Sequence, residues 1–468
     1  MAWVAVILAG GKGVRMRSRL PKVLHPVAGQ PMVAHVVNAL EGLELSRRLV
    51  VLGPQTQAVR EQLGDGLSYA LQPEPLGTGH ALLCARDALD GKVDSLLVLA
   101  GDVPLLRAET IRALVERHVS SRAIITMLTA RTQQTDGLGR VVRDGAGRVT
   151  AIVEEREATP AQRQIDEINS GIYCFQASWL WPNLAKLSKS PSGEFYLTDL
   201  VQMAVESGQG VESVEASSFQ EVMGVNNRIQ LAQAEAAMRQ RVRERLMLSG
   251  VTIIDPLSTF IDASVEIGED TVIYPNTTIQ GRTVIGEGCR IGPGSIIIDS
   301  QIGDDCRILA SVVEGSVLEE HVEMGPFCHI RPESHLGKRV HLGNFGEVKK
   351  SRLGPGVQMG HFSYIGDAQI GANVNIGAGT ITCNYDGVRK NPTFIGDDAF
   401  IGSDSMLVAP LRIGARAITG AGSVVNKDVP DDMLAVGVPA RLRAKGQKAD
   451  DGQASAEATP EAQSGEDT

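Results

Sequence analysis

The chain reads as an α/β domain followed by an all-β domain, and three observations predict this. An apolar run, Val4–Leu8, breaks into Ala9-Gly10-Gly11-Lys12-Gly13 and opens a series of strand-like and helix-like segments that lasts to about Val225. From about Val251 an aliphatic residue followed by glycine recurs as far as Ile413-Gly414, the rhythm of hexapeptide repeats in a parallel β-helix. Between the two lies Asn227–Leu248, rich in Ala, Gln, Glu, Arg and Leu and free of internal Gly or Pro. It reads as one long linker helix ended by Gly250.

Composition sets outer bounds. At 468 residues the chain is long for one core, so two domains are expected. Glycine is high at 51 residues and aromatics are low at 4%, without a collagen period, which asks for a repeat architecture. The formal charge of -10 argues against a nucleic-acid binder. Anionic small substrates stay open, because local lysines and arginines hold those. Cys84, Cys174, Cys289, Cys306, Cys328 and Cys383 contain no Cys-x-x-Cys pair. Neither a zinc site nor a redox motif is suggested, and reduced thiols in the cytoplasm are expected. No basic stretch precedes the first apolar run, so no signal peptide or membrane span is expected. From about Lys445 to Thr468 the composition has almost nothing to bury and predicts a disordered tail.

In the first half, Leu49–Leu52, Ser95–Leu99, Ile124–Leu128 and Ile172–Phe175 read as buried strands. Pro31–Leu40, Gly79–Leu89 and Glu109–Ser120 read as helices. The alternation predicts a largely parallel sheet covered on both faces. Ligands of such sheets bind beyond the carboxyl ends of strands, where the Gly10–Gly13 loop and Gly101-Asp102 both fall. Successive N–H groups in the glycine loop, with Lys12 and Arg15, suit a polyphosphate, and Pro21 sets the approach of Lys22. The spacing matches neither a P-loop nor a dinucleotide fingerprint, and the glycines alone equally fit a tight strand-to-helix turn. Asp102, by position alone, reads as a turn or N-cap aspartate before Pro104.

In the second half the repeat includes Ile267-Gly, Ile285-Gly, Ile291-Gly, Ile302-Gly, Leu353-Gly, Met359-Gly, Ile365-Gly and Ile401-Gly, with Leu353, Met359 and Ile365 six residues apart. The aliphatic side chain is expected to fill the coil, with glycine or another small residue at the tight corner. The break between Ile376 and Ile395 predicts a protruding loop, Ala378–Thr393. Solenoids of this period commonly trimerise and build sites between subunits, by analogy.

Both halves carry specific motifs. The first has Leu8-Ala-Gly-Gly-Lys-Gly, Pro21-Lys-Val-Leu-His, Gln72 with Leu76-Gly-Thr-Gly-His80, Gly101-Asp-Val-Pro-Leu105, Gly137-Leu-Gly-Arg140, Ile152-Val-Glu154, Glu167-Ile-Asn-Ser-Gly171 and Gly224-Val-Asn-Asn-Arg228. The second has Arg331-Pro, the Gly343–Lys350 stretch, Gly360-His-Phe-Ser-Tyr-Ile-Gly-Asp367 and the Asn373–Gly387 stretch. With these motifs the chain resembles the bacterial bifunctional N-acetylglucosamine-1-phosphate uridyltransferase / glucosamine-1-phosphate acetyltransferase family over nearly its whole length. The resemblance implies a Rossmann-like nucleotidyltransferase domain over 1–225, a linker helix over 226–250 and a left-handed β-helix over 251–444 that trimerises.

For nucleotidyl transfer the resemblance implies UTP and UDP-N-acetylglucosamine contacts from Leu8, Ala9, Gly10, Gly11, Lys12, Arg15, Lys22, Gln72, Gly77, Thr78, Ala100, Gly101, Asp102 and Asn226. Gly139, Glu154 and Asn169 would hold the sugar and its N-acetyl group, and Asp102 and Asn226 would hold magnesium. Two anions must meet in line, so cations and a metal fit the chemistry. For acetyl transfer the amine must lose a proton, and a histidine suits that task. The resemblance selects His361 among nine histidines. It puts Arg331, Lys349, Tyr364, Asn375 and Lys390 on the acceptor glucosamine 1-phosphate, with Lys390 arriving from a neighbouring subunit. It puts Ala378, Asn384, Tyr385, Ser403 and Ala421 on acetyl-CoA, where backbone N–H groups would stabilise an oxyanion.

The chain departs from the family's usual pattern at Gly10 and Ala100, where alanine and tyrosine are common, and over Leu434–Pro439, which lacks an arginine found in some relatives. Arg441 or Arg443 is the candidate replacement for its coenzyme A phosphate contact. The expected function is a two-step cytoplasmic enzyme that supplies cell-wall precursors, with no nucleic-acid partner. The rivals are a single-activity sugar-1-phosphate nucleotidyltransferase with a structural β-helix, and a non-catalytic regulatory subunit. His361, Lys349 and the Asn384-Tyr385-Asp386-Gly387 loop argue against the first, and intact Lys22, Asp102, Asn226 and His361 against the second.

Overall fold

The computed structural model describes residues 2–445 except 12, 55, 56, 90–92 and 192. Lys12 and nearly all of the expected tail therefore lie outside the described residues. The chain divides into two compact units. One takes in the chain up to Gly250 with Phe260–Glu266 and Ile279–Arg282; the other takes in Val251–Thr259, Ile267–Thr278 and the chain from Thr283.

The first unit is built on strands β1 (Trp3–Ala9), β2 (Arg47–Leu52), β3 (Ser68–Leu71), β4 (Ser95–Ala100), β5 (Ile125–Arg131), β6 (Arg140–Arg143), β7 (Val149–Val153), β8 (Glu167–Gln176) and β9 (Val211–Glu215). Across the main sheet the order is β9-β5-β8-β4-β1-β2-β3. β1 is central, and its alternate side chains feed two cores. Trp3, Ala5, Ile7 and Ala9 join one, with Val33, Val36 and Leu114. Val4 and Val6 join the other, with Leu82, Leu180 and Leu200. This two-sided burial is what helices on both faces of a sheet produce.

Across that order the sheet is largely parallel, as expected, with one reversed strand. β8 runs antiparallel to both β4 and β5. The chain leaves β5 and makes the β6–β7 hairpin and a short 3-10 turn, Gln162–Gln164, before entering β8, so no α-helix crossover intervenes to bring the strand back in the parallel sense. The expected strand Ile172–Phe175 is only the end of this ten-residue strand. Among the helices, Met32–Asn38 and Ala108–Ser121 fall where the pattern placed them. The segment expected as one helix over 79–89 is an α-helix over Thr78–Arg86 closed by a 3-10 turn over Asp87–Leu89. The long helix, Arg228–Leu248, is N-capped by Asn227, whose side chain accepts the Gln230 N–H at 2.9 Å.

The second unit is a stack of coils whose short strands pair in parallel with the coil before and after. Gln358 pairs with Asn375, and Asn375 with Phe400. The second step holds the extra loop that the broken repeat predicted. Inward Ile365, Ile376, Ile401 and Leu407 are buried and form part of a continuous apolar column. The repeated glycines have a different reason from the one expected. Left-handed backbone at the corners falls largely on other residues, among them Asp270, Asn276, Phe327, Phe345, Asn373 and Asp404. At Gly354 and Gly377 a Cβ would come within 2.5 Å and 2.7 Å of backbone carbonyl carbons of the next coil. Glycine is required there because successive coils pack backbone against backbone.

Candidate functional site

In the first unit the carboxyl ends of β1 and β4 open into a cavity of about 650 Å³. Leu8, Ala9, Gly10, Gly11, Lys22, Gln72, Gly77, Thr78, Ala100, Asp102, Glu154 and Asn169 line it. Twelve of the residues expected at a nucleotide-sugar site thus come together from segments spread over more than a hundred positions. Gly10 has a local reason to be glycine, since a Cβ would sit 2.6 Å from the Gln72 side-chain oxygen. Gln72 is buried, and its amide nitrogen donates to the Gly77 carbonyl at 3.1 Å. The turn is therefore a close approach of loop to loop.

Lys22 begins the 3-10 turn Lys22–Leu24. Its ammonium pairs closely with the Asp102 carboxylate and donates to Asn226 Oδ1 at 3.1 Å. Asn226 is held there because Val225 N–H donates to the Asp102 carbonyl at 2.9 Å. Val225 itself packs with Leu105, Met223 and Ala234 of the long helix. One carboxylate and one amide oxygen thus converge on a cationic position. Both are hard oxygen donors of the kind magnesium takes.

At the opposite end, Thr198 Oγ1 donates to Glu154 Oε1 at 3.1 Å, and burial pushes the Glu154 carboxyl above its ordinary value. Asn169 receives Gly171 N–H on Oδ1 at 3.2 Å, and its own N–H donates to the Gly139 carbonyl at 2.9 Å. Gly139 and Gly101 support the wall rather than line it. Gly101 N–H is bonded to the Leu8 carbonyl at 2.9 Å, and a Cβ on Gly139 would lie 3.6 Å from the Glu154 oxygens. Arg15, on the 3-10 turn Val14–Met16, is exposed and does not line the cavity. Tyr173, Glu194, Tyr196 and Thr198 do line it and were missed. The stretch Glu194-Phe-Tyr-Leu-Thr-Asp199 carries polar and aromatic groups but no periodic or spacing signal.

In the second unit the acetyl-transfer residues fall on two edges of the coil stack. His361 is exposed on one edge, between the strands Gln358–Met359 and Ser363–Gly366. The neighbouring coils bring Ala378, Ser403 and Ala421 to the same edge. Phe362, Ala378 and Ser403 carbonyls accept the N–H groups of Gly379, Asp404 and Gly422 in turn, at 2.7, 2.6 and 2.8 Å. Those three N–H groups are consumed by stacking, which leaves Ala378, Ser403 and Ala421 as candidate oxyanion donors.

Arg331, Lys349, Asn384 and Lys390 mark the other edge. Lys349 carbonyl accepts from Asp367 N–H at 3.1 Å, and Asn384 Nδ2 donates to Asp367 Oδ2 at 2.6 Å. Tyr364 lies on the face between the edges, in register with Glu347, and Asn375 on the strand paired with Gln358. Arg331 is tied to Glu347 at 3.1 Å. Lys390 reaches Lys349 of its own chain. The like charge of Lys390, with Arg331 beside it, pushes the Lys349 ammonium below the ordinary lysine value. The sequence reading drew Lys390 from a neighbouring subunit. Within the chain the loop turns back on itself, with Tyr385 bridged to Lys390 and Asn391 Nδ2 donating to Asp386 Oδ2 at 2.9 Å, so Lys390 also lies near the cations of its own coil. Asn384 and Tyr385 therefore stand with the cations and not in the His361 column. Arg441 and Arg443 lie on the final strand, paired antiparallel with Val436 and Leu434 of the departing segment.

Residues 4–220 match the nucleotidyl transferase family. Residues 264–299 match the bacterial transferase hexapeptide family, and 392–427 the hexapeptide repeat of succinyl-transferase. The chain is 49% identical over 433 residues to "Bifunctional protein GlmU" of Heliobacterium modesticaldum, covering 92% of this chain and 94% of that one. It is 49% identical over 437 residues to the protein of the same name from Pelobacter propionicus, covering 92% and 95%. The chain belongs to the bifunctional GlmU family. It is accordingly a bifunctional transferase, with a uridyltransferase domain first and a hexapeptide-repeat acetyltransferase domain second. Nucleotide and acetyl-CoA are the co-substrates that this family membership implies. No helix among the described residues is long and apolar enough to cross a membrane.

Proposed function

We propose that the second domain acetylates glucosamine 1-phosphate with acetyl-CoA and that the first then transfers UMP from UTP to the product, releasing pyrophosphate. The observation that carries this reading is the single cavity lined by the Gly10-Gly11 turn, the Lys22–Asp102 pair and the Glu154–Asn169 wall, with Asn226 bonded to Lys22 behind it. It offers phosphate, metal and sugar functions to one ligand-sized space.

In uridyl transfer the Gly10-Gly11 backbone approaches the phosphates and Lys22 offsets their charge, with Arg15 reaching them only from outside the cavity. Gln72, Gly77 and Thr78 read uracil through hydrogen bonds. Glu154 and Asn169 orient the sugar so that its phosphate oxygen faces the α-phosphorus. Asp102 and Asn226 would hold Mg2+, which when bound would neutralise charge developing on the phosphates. In acetyl transfer the Arg331, Lys349 and Lys390 cations hold the sugar phosphate. His361 removes the proton from the 2-amine as it attacks the thioester. Ala378, Ser403 and Ala421 line the path of acetyl-CoA. The two-edged arrangement of these residues and the exposure of His361 favour a homotrimer. Six free thiols favour the cytoplasm. The working domain limits are 1–225, 226–250 and 251–444, with 445–468 as a tail.

The test is mass spectrometry of products from purified protein with glucosamine 1-phosphate, acetyl-CoA, UTP and magnesium, omitting each in turn. UDP-N-acetylglucosamine is expected only when all four are present. Product formed only from ready-made N-acetylglucosamine 1-phosphate would reduce the β-helix to a structural part.

A further inference from the structure

Tyr173 carries none of the roles assigned above. It lies four positions beyond Asn169 in β8, across a bulge at which Gly171 takes a φ of 77°. Its ring is buried with its centroid 5.4 Å from that of Phe175. The residue nonetheless lines the nucleotide-sugar cavity; the Asn169 side chain approaches its hydroxyl oxygen, and among the described residues nothing accepts its own O–H proton. Native structures rarely leave a buried hydroxyl unpaired unless a ligand or a water completes it. Burial drives its pKa far upward, so at neutral pH the group is an intact O–H donor.

The neighbouring groups narrow the ligand. Glu154 Oε1 is taken by Thr198, which leaves Oε2 as an acceptor. Asn169 Oδ1 is taken by Gly171 N–H, which leaves Nδ2, beside the Tyr173 hydroxyl oxygen, as a donor. The wall therefore offers one strong acceptor and two donors, Asn169 Nδ2 and Tyr173 Oη. A sugar hydroxyl can be satisfied by either kind of group. An acetamido substituent cannot: its carbonyl oxygen only accepts and its N–H only donates. A buried donor with no other partner gives strong discrimination between ligands that do and do not supply that acceptor.

We propose that Tyr173 is a specificity-determining residue of uridyl transfer, its hydroxyl donating to the acetamido carbonyl oxygen of the acceptor sugar. This rests on the reading of Glu154 and Asn169 as the sugar-holding residues.

The test is Tyr173→Phe, which removes one oxygen and keeps the ring. With N-acetylglucosamine 1-phosphate the KM is expected to rise roughly three- to tenfold, the loss of one neutral hydrogen bond. Both kcat and the KM for UTP should hold. Glucosamine 1-phosphate, tested as substrate or as competitor, lacks the carbonyl and should bind the variant and the parent equally. The melting temperature should be unchanged or higher, since a buried unpaired hydroxyl has gone. An unchanged KM, an equal change for both sugars, a change in the UTP KM alone, or a clear loss of stability would each overturn the proposal. Glu154→Ala separates the underlying reading. If it leaves the KM of both sugar phosphates untouched, the sugar site itself has been misplaced.

Discussion

The Lys22 ammonium lies 3.1 Å from the side-chain oxygen of Asn226, 204 positions away in the chain, while the same nitrogen holds Asp102. A protein cation thus sits between the two oxygens proposed for magnesium, and metal and lysine compete for the same negative potential. Asp102→Asn removes the charge that attracts both. It should reduce uridyl transfer by about a hundredfold or more, weaken Mn2+ binding in a calorimetric titration, and leave acetyl transfer at the parent rate. Undiminished Mn2+ binding would exclude Asp102 as a ligand.

His361 is exposed and lies on a separate edge from the lysines. His361→Ala should lower acetyl transfer by about a hundredfold to ten-thousandfold, the range for a lost general base. Uridyl transfer from supplied N-acetylglucosamine 1-phosphate should be unaffected. An equal fall in both rates would show that the two sites are not independent.

The Lys349–Lys390 contact holds two like charges together, an arrangement that an anion relieves. Lys390→Ala should raise the KM for glucosamine 1-phosphate by about tenfold and make it less sensitive to salt. It should also return the Lys349 ammonium upward toward its ordinary value, read by the titration of a labelled lysine. An unchanged KM would remove Lys390 from the acceptor site.

His118 is buried in the first unit, with Nδ1 2.9 Å from Thr126 Oγ1 and its ring edge-on to Trp3. Burial pushes its pKa down to about 4. The folded state therefore binds this proton less readily than the unfolded chain, whose histidines titrate near 6.5. The stability due to neutral His118 is complete above about pH 6.5 and is lost as the pH falls toward 4, by up to about 3 kcal/mol. Burial shifts His25 and His35 in the same direction. Denaturant unfolding of His118→Asn between pH 7 and pH 4 should show a shallower decline than the parent. Parallel curves would rule His118 out as a source of acid sensitivity.

The repeat made the β-helix readable. Each coil's inward aliphatic residue and its glycine are near neighbours in sequence, so their rhythm survives in one dimension. The same holds for β1 and the turn after it, where an apolar run meets Gly10-Gly11. The antiparallel sense of β8 was not readable, because direction depends on what connects two strands and not on what a strand contains. The glycine requirement at Gly354 and Gly377 was misattributed for a related reason. Its cause is the backbone of another coil.

Local order alone was enough to determine that an α/β half precedes a coil-stacked half, and which short motifs carry charge. The tertiary structure decided which of those motifs share a space. Lys22 and Asp102 are 80 positions apart, and Asn226 a further stretch beyond; strand register and the packing of Val225 bring them together. Arg15 fell outside the cavity while Thr198 and Tyr173 fell within it, and the loop carrying Lys390 folded back onto its own coil. Such choices depend on loop closure and side-chain packing between distant segments, and these leave no periodic trace along the chain.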